Sequence, residues 1–152
     1  MISLREKEHV AKSIDETALF AKVISEKIFS QEAGAFVLAL HGELGAGKTA
    51  FTKELAKILG IQEERVTSPT FVIEKIYEIS FKGFEKLIHI DAYRLERGEE
   101  LLALGWKEIT EDNKNLIVLE WPENVSGIIP KNALHIFIDH KEDGSRVFTI
   151  RK

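Results

Sequence analysis

Apolar residues in the first 60 positions recur at two different spacings. A helical spacing follows the capping box between Ser13 and Glu16 and continues until Gly34, with apolar residues at Leu19, Phe20, Val23, Ile24 and Ile28. A continuous apolar run at 35–40 is typical of a parallel strand buried on both faces of a sheet. A second helical spacing starts at Thr49 and stops at Gly60, with apolar residues at Phe51, Leu55, Ile58 and Leu59. The pattern predicts helix, strand and helix in that order.

Two strand-like segments follow. The segments 72–79 and 87–90 are rich in β-forming residues and flank a turn region at 81–84, so we expect a hairpin. The second strand of this hairpin ends at Asp91. Because adjacent strands joined by a short turn run antiparallel, this pair is expected as an addition to a parallel core.

The last third of the chain returns to alternating helix and strand signals. Segment 99–104 is typical of a short acidic helix ended by a glycine, and 116–119 is a second buried-strand run followed by Glu120. The segments 133–138 and 147–150 flank an Asp-Gly pair, which favours a tight hairpin. The whole pattern predicts an α/β fold with a mostly parallel central sheet, flanking helices and antiparallel hairpins.

Composition narrows the class of protein. The 152 residues are 44% hydrophobic and 30% charged, which suits a single domain over 1–152. There is no cysteine, no apolar stretch of the roughly 20 residues that span a bilayer, and no signal-peptide profile, so we expect a cytoplasmic protein without a membrane partner. The net charge of -4 argues against independent binding of nucleic acid, so an RNA partner is expected only through another protein.

One segment carries specific chemistry. It satisfies the phosphate-binding loop pattern G-x-x-x-x-G-K-[ST] and lies between the apolar run and the second helix; its residues are Gly42, Glu43, Leu44, Gly45, Ala46, Gly47, Lys48 and Thr49. The three glycines allow the backbone to turn its N–H groups inward at positive φ. Lys48 can reach the terminal phosphates, and Thr49 can place a hydroxyl beside Mg²⁺. The sequence therefore predicts a nucleoside triphosphate site in a P-loop NTPase-like fold.

Carboxylates follow two of the predicted strands. Asp91 and Glu120 should lie near the γ-phosphate, because parallel α/β sheets bind ligands at the carboxyl ends of their strands. One acid would hold Mg²⁺ and the other would orient the attacking water, and the residues alone leave that assignment open. The alternative is an ordinary strand-end or turn carboxylate at either position.

A hydroxyl-rich loop precedes the first hairpin strand. Thr67, Ser68 and Thr70 surround Pro69 after the P-loop helix, where nucleotide switches often sense the γ-phosphate. A simple turn before a strand is the alternative interpretation.

Four motifs occur in sequence order: the P-loop, the S-P-T-F segment from Ser68, the H-I-D-A-Y-R-L segment from His89 and the L-E-W-P-E segment from Leu119. Together they resemble the TsaE (YjeE) family, the bacterial ATPases of tRNA threonylcarbamoyladenosine modification. The first motif is common to many NTPases, whereas the last two are far more specific. The resemblance covers roughly residues 40 to 123.

The resemblance implies an ATP site in which Thr49 and Glu120 bind Mg²⁺ and Trp121 lies near the nucleotide. It also implies that Asp91, with the loop that contains Thr70, serves turnover or switching. Thr17 resembles the N-terminal hydroxyl contact to the nucleotide, although a threonine in a capped helix needs no ligand. The implied partners are the TsaD and TsaB proteins, with tRNA reached through their complex.

The family pattern is not followed everywhere. Ala50 is among the residues expected at the nucleotide, but relatives often carry a second hydroxyl residue at this position after the P-loop lysine, so the alanine removes a possible contact to the α-phosphate. Exposed Tyr93, Arg94 and Trp121 could belong to a partner surface or could mainly pack. His9, His41, His135 and His140 are expected to be solvated or packed residues.

Two other function classes compete with the ATPase switch. A small-molecule kinase would need an acceptor pocket and a lid carrying arginines, and Arg94 with Arg97 is the one nearby arginine pair in the sequence. A GTPase would need the guanine-reading N-K-x-D motif, and Asn113-Lys114 is followed by Asn115 and Leu116 instead. The kinase stays open as the alternative, and GTP specificity is disfavoured.

Overall fold

Seven strands form one mixed sheet in the computed structural model, which describes residues 7–62 and 73–151. Their bounds are β1 Lys7–Ala11, β2 Phe36–His41, β3 Glu74–Phe81, β4 Phe84–Asp91, β5 Asn115–Glu120, β6 Leu134–His140 and β7 Arg146–Arg151. The strand order is β1-β7-β6-β2-β5-β4-β3. The four central strands β6, β2, β5 and β4 are mutually parallel, and β1, β7 and β3 pair antiparallel with their neighbours.

Helices cover the two faces of the sheet. Their bounds are α1 Ile14–Lys27, α2 Lys48–Ile58, α3 Gly98–Leu102 and α4 Trp106–Glu111, with a kinked 3₁₀ segment at Pro122–Ile128. One buried cluster joins α1 and α2 to the sheet through residues such as Phe20, Phe51 and Leu38. The other joins α3 and α4 to the opposite face through residues such as Leu101, Trp106 and Val37. Strand β2 is therefore buried on both faces, as its continuous apolar run predicts.

Most predicted elements are confirmed. The Ser13 hydroxyl accepts a hydrogen bond from the Glu16 N–H and caps α1, although the Glu16 carboxylate accepts from Lys12 N rather than from the cap residue. The first hairpin turns at Lys82 and Gly83, which both have positive φ, at 49° and 90°. Such a pair matches the right-handed twist of the flanking strands. Helices α1, α2 and α3 and the two hairpins thus follow local signals.

Two elements differ from the prediction. Strand β1 is not predicted, because it is an edge strand whose first residues are polar and exposed. Helix α4 is not predicted either, since it is short and Trp106 is its one buried residue. The second hairpin is confirmed as a tight one: Lys141 N donates to Ser145 O, and Gly144, at φ of 88°, donates its N–H to the Lys141 carbonyl.

The 67–70 loop, including Thr70, and the predicted strand start at residue 72 lie outside the described residues. Among the helices that are described, none combines the length and the apolar character needed to cross a membrane.

Candidate functional site

The P-loop joins the carboxyl end of β2 to the start of α2. Gly45 and Gly47 have φ of 81° and 116°, which confirms the predicted need for glycine at these two positions. Gly42 does not have a positive φ, so that part of the prediction is wrong. Close packing requires a glycine at position 42, because a Cβ there would lie 2.9 Å from the Ile138 carbonyl oxygen of the neighbouring β6.

Lys48 is folded against its own loop. Its Nζ donates to the carbonyls of Gly42 and Glu43, the second at 3.1 Å, and lies 4.2 Å from the centroid of a Trp121 ring. Burial lowers the pKa of Lys48, and the carboxylates of Glu120, Glu123 and Asp91 act in the opposite direction. Carbonyl oxygens and nearby acids thus stabilise the positive charge of the buried Lys48. The loop holds this side chain at the carboxyl edge of the sheet.

The two predicted acids meet at that edge. Asp91 and Glu120 end the parallel strands β4 and β5, pair with each other in the strand register, and are buried. The Asp91 carboxylate accepts from the N–H of Tyr93 at 2.9 Å, and the Glu120 carboxylate lies 2.5 Å from His89 Nε2. The two acids are thus neighbours at the carboxyl edge, while their closeness to a γ-phosphate and their separate chemical roles stay predictions.

A cavity of about 180 Å³ brings most of the predicted site together. Its lining consists of Leu44, Gly45, Gly47, Lys48, Thr49, Asp91, Tyr93, Glu120 and Trp121. Hydroxyl and carboxylate oxygens are the ligands that Mg²⁺ prefers, and this ion usually takes one or two protein ligands together with phosphate oxygens. Thr49, Asp91 and Glu120 supply such oxygens, so these donors fit a metal shared with phosphates. No group of three His, Cys, Asp or Glu side chains able to hold a metal occurs in the described parts of the chain.

Trp121 has an unusual backbone conformation. Its φ of 59° and ψ of 49° lie in the left-handed region, which is uncommon for a bulky residue and costs on the order of 1–3 kcal/mol. In this conformation the Trp121 ring lies over Lys48 Nζ, and its centroid is 5.0 Å from the centroid of the Tyr93 ring. The ring of Trp121 therefore packs beside the P-loop, while its part in a partner surface stays a prediction.

A second cavity, of about 630 Å³, also lies at the P-loop and shares Leu44, Gly45 and Trp121 with the small one. Its further lining includes side chains of β6, β7 and the 3₁₀ segment, among them Phe137, Arg151 and Glu123. A chain of hydrogen bonds starts at this lining: His41 Nδ1 lies 3.0 Å from Glu123 Oε2, and His41 Nε2 lies 2.8 Å from Nδ1 of His135, which is not among the lining residues. His41 also stacks on Phe137 at 4.1 Å.

The sequence does not predict this histidine chain of His41 and His135 with Glu123. Packing of His41 was expected, but its hydrogen bonds were not, because they join three elements that are distant in sequence. The available signal was the position of His41 directly before the first P-loop glycine.

Acidification is expected to destabilise the fold through this histidine chain. Burial lowers the pKa of both His41 and His135 from the ordinary value of 6.5, with Glu123 partly opposing the effect at His41. As the pH falls through 6.5, these two histidines take up protons in the unfolded chain before they do so in the folded one. The part of the free energy of unfolding that they contribute above pH 6.5 is therefore lost below it. Urea midpoints at about pH 7.5 and about pH 5.5 measure the loss.

The comparison protein is the double variant that carries both His41→Gln and His135→Gln. His9, whose pKa is also lowered, remains in both proteins, so only the contribution of the chain changes. The midpoint of the double variant should fall less on acidification than that of the parent protein. An equal fall in the two proteins would contradict the prediction.

Two predicted nucleotide contacts are not placed beside either cavity. Thr17 is fully buried in α1, and its hydroxyl has no hydrogen-bond partner among the described residues. Ala50 lies in the first turn of α2, next to Thr49. Neither residue lines the two cavities at the P-loop. Their contacts to a nucleotide stay predictions.

Comparison with known proteins decides the family. The sequence profile described as "Threonylcarbamoyl adenosine biosynthesis protein TsaE" matches residues 11–148. The chain belongs to the TsaE family. It is 37% identical to the tRNA threonylcarbamoyladenosine biosynthesis protein TsaE of Treponema pallidum, over 93% of this chain and 97% of the relative. It is 40% identical to the TsaE of Aquifex aeolicus, over 75% of this chain and 85% of the relative.

A solved structure agrees with this assignment. The crystal structure of YdiB from Bacillus subtilis superposes with a TM-score of 0.71 at 27% identity, covering 99% of this chain and 87% of that one. The P-loop NTPase-like α/β fold expected from the sequence is thereby confirmed. Membership of the TsaE family also connects the chain to threonylcarbamoyladenosine biosynthesis.

Proposed function

We propose that this TsaE-family chain binds ATP with Mg²⁺ and hydrolyses it as a partner-gated switch in the threonylcarbamoyladenosine modification of tRNA. The observation that carries the proposal is the small cavity in which the P-loop, Asp91 and Glu120 meet. A cavity with this lining combines phosphate-binding N–H groups, one ammonium and two acids, which is the set of groups that phosphoryl transfer requires.

Each group has a distinct task in this mechanism. The N–H groups of the P-loop bind phosphate oxygens, and Lys48 exchanges its carbonyl partners for the terminal phosphates. Thr49 and Glu120 would hold Mg²⁺. When bound, the ion offsets the charge of the β- and γ-phosphates.

Asp91 is the acid proposed to orient the attacking water. Its carboxylate already accepts one hydrogen bond from Tyr93 N, which fixes the side chain beside the cavity. Because the transition state is loose, hydrolysis needs a positioned water more than a strong base. Thr70, in the loop outside the described residues, is proposed to act with Asp91 during turnover, and Thr17, Ala50 and Trp121 are proposed to contact the nucleotide.

The proposed partners are the TsaD and TsaB proteins, with tRNA engaged only through their complex. Two exposed apolar side chains at the small cavity support a partner that approaches the γ-phosphate: Leu44 is 77% exposed and Tyr93 is 47% exposed. The negative net charge supports indirect contact with tRNA. We further propose one ATPase domain over 1–152 and a cytoplasmic location.

The proposal is tested by Mg²⁺-dependent ATP hydrolysis of the purified chain, alone and with a matching TsaD–TsaB pair. We expect slow turnover alone and strong stimulation by the pair, with no stimulated turnover in a Glu120→Gln variant. Equal rates with and without the pair would contradict the switch. Phosphate transfer from ATP to a small-molecule acceptor would favour the kinase alternative instead.

A further inference from the structure

A buried hydrogen bond joins the acid of the proposed metal site to a histidine on the neighbouring strand. His89 Nε2 lies 2.5 Å from Glu120 Oε2, His89 is fully buried, and the Glu120 side chain is 4% exposed. We propose that His89 is a positioning residue, which fixes the Glu120 carboxylate so that its other oxygen is available to the metal. This inference rests on the proposed function of Glu120.

The sheet register brings the two side chains together. In the parallel pair of β4 and β5, His89 is opposite Val118 and Asp91 is opposite Glu120. His89 lies two residues before Asp91, so both side chains are on the same face of β4. The His89 imidazole therefore reaches Glu120 diagonally, whereas Asp91 is the residue directly opposite Glu120. His89 and Asp91 thus do not compete for the same position beside Glu120.

The donor nitrogen of the imidazole follows from its partners. His89 Nδ1 has no hydrogen-bond partner among the described residues, whereas Nε2 lies 2.5 Å from Glu120 Oε2. A carboxylate oxygen can only accept a hydrogen bond, so the hydrogen between these two atoms belongs to Nε2. The geometry thus assigns His89 as a hydrogen-bond donor through Nε2.

The hydrogen bond from His89 limits the rotation of the Glu120 side chain. A glutamate side chain has three rotatable bonds, and a ligand that is free to rotate loses entropy when it binds a metal. A hydrogen bond to one carboxylate oxygen removes most of that freedom before the metal arrives. Residues that orient a metal ligand in this way typically contribute about 10- to 100-fold to metal affinity or activity.

A matched pair of variants separates hydrogen-bond donation from packing. In His89→Gln the side-chain amide can place its N–H near the position of Nε2, whereas in His89→Asn it reaches only the position of Nδ1. Val118→Ala, opposite His89 in the register, controls for a general disturbance of this part of the sheet. The measurement is Mn²⁺ binding in the presence of ADP, followed by electron paramagnetic resonance, together with ADP affinity without metal and the urea unfolding midpoint.

We expect His89→Asn to weaken Mn²⁺ binding by about 10- to 100-fold with unchanged metal-free ADP affinity, and His89→Gln to stay within about threefold of the parent protein. Val118→Ala should bind Mn²⁺ like the parent. Parent-like Mn²⁺ affinity in His89→Asn would overturn the inference, and so would equal losses in the folded Asn and Gln variants.

The nitrogen spectrum of the parent protein gives a further test, with His89→Gln as the variant that assigns the signal. With ¹⁵N-labelled histidine, the spectrum should contain an imidazole signal whose Nε2 carries a hydrogen and which is absent from the His89→Gln spectrum. A His89 ring without a hydrogen on Nε2 would overturn the inference. Failure of the parent to bind Mn²⁺ with ADP, or to hydrolyse ATP, would reject the proposed function, whereas the outcomes above reject the role of His89 alone.

Discussion

Glu120→Gln is expected to lower ATP turnover by about 100- to 1,000-fold while the variant still binds ATP. The amide keeps the shape of the side chain but removes the negative charge that would hold Mg²⁺ at the end of β5. The P-loop, which would supply most of the phosphate contacts, is untouched. The measurements are the rate of phosphate release at saturating MgATP and the ATP affinity by isothermal titration calorimetry.

Glu54→Gln is the control for this change. Glu54 is also a buried glutamate, but it lies in α2 and forms an ion pair with Lys57 at 3.2 Å. Its variant should hydrolyse ATP within about threefold of the parent rate, because Glu54 lines neither cavity at the P-loop. A Glu120→Gln protein that keeps the parent rate would exclude Glu120 as the metal ligand of the turnover step.

Gly47→Ala is expected to destabilise the fold by about 1–3 kcal/mol and to abolish ATP binding. Gly47 caps α2 at φ of 116°, a conformation that side chains rarely adopt. A Cβ at this position would also lie 2.6 Å from Nε of Arg146, and that group already donates to the Ala46 carbonyl. The side chain of Arg146 would have to move and lose this hydrogen bond.

Gly45→Ala is the matched control for stability. Gly45 has a φ of 81°, but a Cβ there meets no atom within 4 Å, so its cost is confined to the backbone. Urea unfolding of both variants should therefore give the larger loss for Gly47→Ala. Adding Arg146→Ala should remove the steric part of that loss. Equal losses for the two glycine variants would show that the contact with Arg146 contributes nothing.

The sequence predicted those features that depend on local patterns. The P-loop spacing, the cap at Ser13 and the acids after two buried strands were all visible, because each is fixed by residues that are close in the chain. The meeting of Asp91 with Glu120 also followed, since parallel strands share a carboxyl edge.

The remaining features depend on register and on distant partners. The contact of His89 with Glu120 requires the alignment of β4 with β5, which no local pattern specifies. The link from His41 to His135 requires β6 to lie beside β2, although the two residues are 94 positions apart. Strand β1 pairs at the sheet edge through its backbone, so its polar side chains gave no hydrophobic signal.

The partners of the P-loop come late in the chain. Gly42 packs against Ile138, and the Ala46 carbonyl accepts from Arg146, which is 100 positions further on. During synthesis on the ribosome, the loop leaves the exit tunnel long before β6 and β7 exist. Because contacts between distant segments form slowly, we expect the proposed nucleotide site to be completed only near the end of folding. If the proposed function is right, ATP binds only chains whose sheet has already closed around the loop.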